Sequence, residues 1–258
     1  MEHTVKTVSP VCIPFPLKDG DIQSGNQLVR EIQAHVASGE IVILKNAFNP
    51  EEMSEFRNKI VSWGKENAIF PHGESPSKYP DLNYHRIDDG SVPSVCPHLF
   101  HQYGFNSIDK LGPEYTPLFN KVTDRLVLIQ NAIGGTSFEI SLTELRLKVL
   151  QYPEGGGFLA EHKHPKEPQQ IGLILSLSKK GVDFQQGAAV FTTPKGYVDT
   201  VDYHDMGDVV IFRYDLPHAV SQVNPEKKPI DWTMETGKWS VVLELRDTHG
   251  LSHKKPNS

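Results

Sequence analysis

The sequence predicts a mainly β protein with flanking α-helices: a β-sandwich or barrel in the C-terminal half, with helices beside it from the N-terminal half. Two observations carry that reading. Short runs rich in Val, Ile, Leu or Phe recur from residue 144 onward, with Gly, Pro, Asp and Asn clusters between them. Helical periodicity is confined to the residues before 135.

In chain order, the residues up to about Lys18 are Pro-rich, lack periodicity and read as an extended arm. Leu28, Ile32 and Val36 then recur at helical spacing, and Ser38-Gly39 closes that segment before the buried-strand run Ile41-Val42-Ile43-Leu44. Asn49-Pro50-Glu51-Glu52 supplies an N-cap, a proline at the first helical position and a carboxylate three residues after the cap, with Phe56, Ile60 and Trp63 as the buried stripe. Between Phe70 and Pro113 the pattern dissolves into Pro, Gly, Ser, His and Tyr, and the segment reads as a pocket-lining loop. A helix is expected over 117–133, with Gly134-Gly135 as its stop. Strands are expected over 144–152, 171–178, 188–192, 208–212 and 239–245. The chain is read as one domain, with arm, helices and loop in 1–143, the β core in 144–247 and a tail in 248–258.

Composition excludes several function classes. Hydrophobic residues make up 38% and charged residues 22% of the 258, and no apolar run approaches the ~18 residues of a membrane span. The start, MEHTVKTVSP, lacks the features of a secretory signal, so a cytoplasmic address is expected. Cys12 and Cys96 are too few for a disulfide scaffold or a cysteine-rich zinc site. With 26 Lys and Arg against 32 Asp and Glu, a formal charge of −6 and no basic cluster, nucleic acid is not an expected partner. Oligomeric state is left open.

Histidines carry the chemistry. His162 and His164 lie two residues apart, a spacing that puts both rings on one face of an extended strand and turns Glu161 and Lys163 away. His218 follows the run Gly207-Asp208-Val209-Val210-Ile211-Phe212. Three neutral imidazoles suit iron, copper, nickel or zinc, so the ligands alone do not name the metal. His72, His98, His101 and His204 have no partner at ligand spacing and read as structural.

These motifs resemble the iron(II)- and 2-oxoglutarate-dependent oxygenases. The likeness rests on Tyr152, Gly155-Gly156-Gly157, His162-x-His164, Gln186-Gly187-Ala188, Gly207 to Phe212, His218 and Gly237-Lys238-Trp239-Ser240. The last group is similar to the Gly-x-Lys-Trp of prolyl hydroxylases. The resemblance extends over 40–246, with its specific motifs in 152–245. It implies a double-stranded β-helix (a jelly-roll or cupin-like core) with N-terminal helices, Fe(II) held by His162, His164 and His218, and 2-oxoglutarate as co-substrate. Lys238 would pair with the far carboxylate of 2-oxoglutarate, with Tyr152, Ser240 and, as second choice of cation, Arg246 completing that site. No catalytic residue beyond the metal ligands is implied. One departure stands out: the family's triad is two histidines and a carboxylate, and His164 occupies the carboxylate position. A neutral nitrogen there leaves one more positive charge on the site, which raises the metal's reduction potential and shifts its preference among metals.

Three readings follow. The first is an oxygenase that couples oxidative decarboxylation of 2-oxoglutarate to attack on an unactivated C–H bond of a small-molecule substrate. The second is a three-His dioxygenase of cupin type that works without 2-oxoglutarate, and the third a non-catalytic metal- or ligand-binding module on the same fold. For the substrate, Arg146 and Lys148 share the face of Tyr152 and are expected to point into the barrel toward a carboxylate-bearing molecule. Tyr84, His85 and Arg86 are expected to form a recognition loop.

Overall fold

The computed structural model describes residues 6–67, 69–70, 81–91, 96–138 and 145–245. Three α-helices form where capping and periodicity place them. α1 (Gln27–Ala37) starts at Asn26, whose side chain accepts from the Leu28 amide, and buries Val29, Ile32 and Val36. α2 (Pro50–Glu66) is capped by Asn49, which accepts from the amides of Glu51 and Glu52, and buries Met53, Phe56, Ile60 and Trp63. α3 (Thr116–Gly134) ends at Gly135 in the left-handed conformation, φ 66°. Among the described residues no helix is long and apolar enough to cross a membrane.

Twelve strands curl into two layers. They are β1 (Val11–Pro14), β2 (Val42–Lys45), β3 (Tyr84–Asp88), β4 (His98–Phe105), β5 (Leu145–Tyr152), β6 (Gly157–His162), β7 (Ile171–Ser176), β8 (Ala189–Thr193), β9 (Gly196–Asp199), β10 (Val209–Arg213), β11 (His218–Val223) and β12 (Lys238–Leu245). The larger layer runs β1-β2-β10-β7-β12-β5-β4, with β3 on the edge of β4, and the smaller runs β4-β6-β11-β8-β9. β4 belongs to both, pairing with β6 at His98 and Leu99 and with β5 from His101 to Phe105. This is the double-stranded β-helix that the resemblance implies.

Alternation along the larger layer separates its two faces. Leu147, Val149, Leu173, Leu175, Val209, Ile211, Trp239, Val241 and Leu243 face outward and form the main core with the helices. Phe119 is the hinge of that packing, edge-on to both Phe56 and Phe105 at 4.7 Å. Tyr152, Leu150, Lys238, Ser240, Val242 and Glu244 lie on the opposite face, toward the smaller layer.

The segment from 70 to 113 departs from the irregular loop expected, because β3 and β4 lie within it and extend the sheet. The N-terminal arm likewise contributes β1, parallel to β2. β3 and β4 escaped notice because their helix-facing side is filled by imidazole and phenol rings in place of aliphatic groups. His85 stacks on Tyr103 at 4.2 Å between centroids, and His85 Nε2 and His101 Nδ1 share a hydrogen bond of 3.0 Å. His85 and His101 are 7% and 4% exposed, and burial pushes both pKa values down to about 4. The charged residues bordering the cavity beside them, Lys65 and Glu235, are paired with each other.

The sign of the resulting pH dependence follows from linkage. Between about pH 6.5 and 4 the unfolded chain binds protons that the folded chain refuses, so stability is full above that window and falls as pH drops through it. Each such group contributes at most ~1.4 kcal/mol per pH unit. His101→Gln, which keeps a donor for His85 and cannot charge, is expected to shallow the fall in denaturation midpoint between pH 6.5 and 4; an unchanged slope would remove the pair from the account.

Candidate metal centre and cleft

Two neighbouring strands of the smaller layer place the first two rings. β6 and β11 are antiparallel, and His162 lies directly opposite His218. His162 is the last residue of β6, so His164 stands just past the strand. There its amide donates to the Tyr214 carbonyl at 3.3 Å, and its ring stacks on that of Tyr214 at 4.3 Å and 12°. One ligand nitrogen from each of His162, His164 and His218 falls within 4.8 Å of the others.

Hydrogen bonds fix which nitrogens are offered. His162 Nδ1 lies 2.9 Å from the Ala160 carbonyl and His218 Nδ1 2.9 Å from the Leu216 carbonyl. A carbonyl can only accept, so each Nδ1 carries the proton and each Nε2 keeps its lone pair. Burial, reinforced by the neighbouring His162 and His164, pushes His218 down to about 3, so it stays neutral at ordinary pH. Glu161, the alternative carboxylate, accepts from Thr192 at 3.2 Å, and no Asp or Glu joins the cluster among the described residues. The set fits a first-row metal such as Fe(II), which imidazole ligates well, without a protein carboxylate.

The three histidines line a cavity whose inner-sheet wall includes Tyr152, Ser240, Val242 and Glu244. Lys238 sits opposite Tyr152 in the β5–β12 register and is 1% exposed. Its ammonium lies 5.1 Å from the centre of the Phe184 ring and has no carboxylate within ion-pair distance among the described residues. Burial pushes it down to about 8, against the opposing pull of Asp199 and Asp205. The Ser240 hydroxyl is buried without a hydrogen-bond partner, and burial pushes the Tyr152 hydroxyl above its usual range. Arg246 lies outside the described residues, as does His72.

At the other end of β12, Lys148 forms an ion pair with Glu244, and Arg146 is directly opposite Glu244. Burial raises the Glu244 pKa, but Lys148, His164 and Arg146 outweigh it and leave a net lowering. Tyr84 and Arg86 share the inner-facing side of β3, where the Tyr84 hydroxyl accepts from Gln102 at 2.6 Å and Arg86 pairs with Asp88 at 2.7 Å. His85 projects to the opposite face, under α2, and is not brought to the three histidines. His98 pairs with Asp88, and His204 with the Asp208 carbonyl.

Sequence reasoning missed Tyr214 and gave no role to Glu244. Nothing in the local pattern marks Tyr214. Glu244 was legible, because the two-residue period of β12 puts it on the face of Lys238.

No protein-family model and no curated protein matches the sequence, so the likeness to known proteins lies in the fold. A prolyl-4-hydroxylase from Pseudomonas putida superposes with a TM-score of 0.55 at 13% identity, covering 84% of this chain and 98% of that one. An oxidoreductase of the 2OG-Fe(II) oxygenase family from Burkholderia pseudomallei gives 0.51 at 12%, covering 92% and 95%. The non-heme alpha-ketoglutarate-dependent epimerase SnoN of nogalamycin biosynthesis also gives 0.51 at 12%, covering 85% of each chain. The chain thus has the fold of the 2-oxoglutarate- and iron(II)-dependent oxygenases, with a three-histidine cluster at its centre.

Each imidazole is expected to count as a ligand. His164→Ala should abolish retention of Fe(II) through anaerobic desalting, read as iron per chain, whereas Glu161→Ala should leave it intact; the reverse pattern would displace His164 from the site.

Proposed function

We propose that the protein is a non-haem iron oxygenase that uses 2-oxoglutarate and dioxygen to oxidise, in the simplest case hydroxylate, a small-molecule substrate. The observation that carries the reading is Lys238: a fully buried ammonium without a counter-ion among the described residues, beside two residues that line the cavity of the three histidines. A buried cation is costly unless a partner is supplied. The distal carboxylate of 2-oxoglutarate is such a partner, with Ser240 and Tyr152 offering hydroxyls next to it.

The division of labour follows from position. His162, His164 and His218 would hold the iron, which when bound supplies dioxygen activation coupled to decarboxylation of the keto acid. Lys238 binds and orients the co-substrate from beside Tyr152 and Ser240. The apolar walls, Leu150, Leu159, Ile174 and Val220, exclude water from the reacting region. Tyr214 holds the His164 ring in place by stacking. With three neutral ligands the site carries one positive charge more than a site with a carboxylate ligand, which favours retention of the anionic keto acid.

Anaerobic titration with Fe(II), with and without 2-oxoglutarate, is the direct test. A visible charge-transfer band that requires the keto acid is expected, and metal binding without any band would favour a 2-oxoglutarate-independent dioxygenase or a binding module. Loss of a charge-assisted hydrogen bond is worth ~1.5–3 kcal/mol. Lys238→Met is accordingly expected to weaken 2-oxoglutarate binding by about 10- to 100-fold while leaving iron content unchanged. Because the Lys238 ammonium must be charged to bind a carboxylate, affinity should be level below about pH 8 and decline as pH rises past it. An affinity independent of pH between 7 and 9.5 would place the carboxylate elsewhere.

A further inference from the structure

The charged residues at the outer end of β5 and β12 are unevenly matched. Two cations, Arg146 and Lys148, face one carboxylate, Glu244. Lys148 takes Glu244 Oε2 as its ion-pair partner. Arg146 is half-buried, its Nε is shielded from solvent without a hydrogen-bond partner, and among the described residues no ion pair engages its guanidinium. An unpaired buried donor of this kind is costly, more so when charged. The cost disappears if a ligand brings a carboxylate to it, and a guanidinium is the group best shaped to take one.

Glu244 lines the cavity of the three histidines. A carboxylate has about four acceptor positions over its two oxygens. Lys148 engages Oε2, and the remaining acceptor positions of the carboxylate can take a second cation. Arg146 and Glu244 are direct cross-strand partners, and such side chains start ~5 Å apart. Arg146, in no ion pair among the described residues, and Glu244, which lines the cleft, therefore stand side by side on the inner face of the sheet.

We propose that this pair reads a small zwitterionic substrate, a free amino acid or close derivative, with Arg146 taking its carboxylate and Glu244 its ammonium. The inference rests on the oxygenase reading for the identity of the cleft and adds the substrate class. A plain carboxylic acid would satisfy Arg146 but set its charge beside Glu244 with nothing for Glu244 to bind. A plain amine would leave Arg146 unpaired. Only a molecule carrying both groups on neighbouring atoms matches both, and it fixes the side chain of that molecule in one orientation toward the metal.

The test is binding, not turnover. Protein loaded with Zn(II) and 2-oxoglutarate is titrated calorimetrically with the free L-amino acids, and any that bind are compared with their N-acetyl and carboxamide counterparts. At least one amino acid is expected to bind at least tenfold more tightly than both blocked forms. Arg146→Met should abolish the discrimination against the carboxamide and Glu244→Gln the discrimination against the N-acetyl form. Both variants should keep one Zn(II) per chain and the thermal midpoint of the parent, which separates lost recognition from unfolding. If no free amino acid binds, or the blocked forms bind as tightly, the proposal is overturned. The keto-acid-dependent band with Fe(II) reports on the oxygenase reading separately and would survive either result.

Discussion

The antiparallel pairing of β6 with β11 is the constraint on which the site depends. It sets His162 opposite His218, and each ring is then locked by its own Nδ1 bond to the carbonyl two residues back. Shift that register by one residue and one ring would leave the cleft, because side chains alternate between faces. The pairing is held in turn by β8 on one side of β11 and β4 on the other side of β6, so the smaller layer positions the ligands while the larger layer supplies the opposing wall.

Charge is distributed unevenly along the inner face of β5 and β12. Lys238 is buried toward one end of β12 with no ion pair among the described residues, and the Lys148–Glu244 pair with Arg146 stands toward the other. Burial governs the state of the imidazole at the centre: His218 is kept uncharged by its own desolvation and by its neighbours, which is the form a metal requires. The same physics on the outer face of the sheet keeps His85 and His101 neutral, but there it serves packing between α2 and the sheet.

Much of this was legible locally. One N-cap, glycine stops and helical stripes located the three helices, and period-two alternation put Arg146, Lys148, Tyr152, Lys238 and Ser240 on one face, as the strand register has them. β3 and β4 were not legible, because the residues packing their outer side are His85, His101 and Tyr103, which carry no aliphatic signature. For the same reason Tyr84, His85 and Arg86 read as one loop, although a strand sends the middle residue to the opposite side from its neighbours.

The amino-acid sequence by itself determined the candidate ligand types, their spacing and the face each side chain takes, since these follow from bonded geometry and the two-residue period of a strand. The tertiary structure alone decided which charges are neutralised. Lys148 meets Glu244 across 96 residues of chain, whereas Lys238 and Arg146 form no ion pair among the described residues. Ion pairing depends on distances of a few ångströms between remote segments, and no local pattern encodes those.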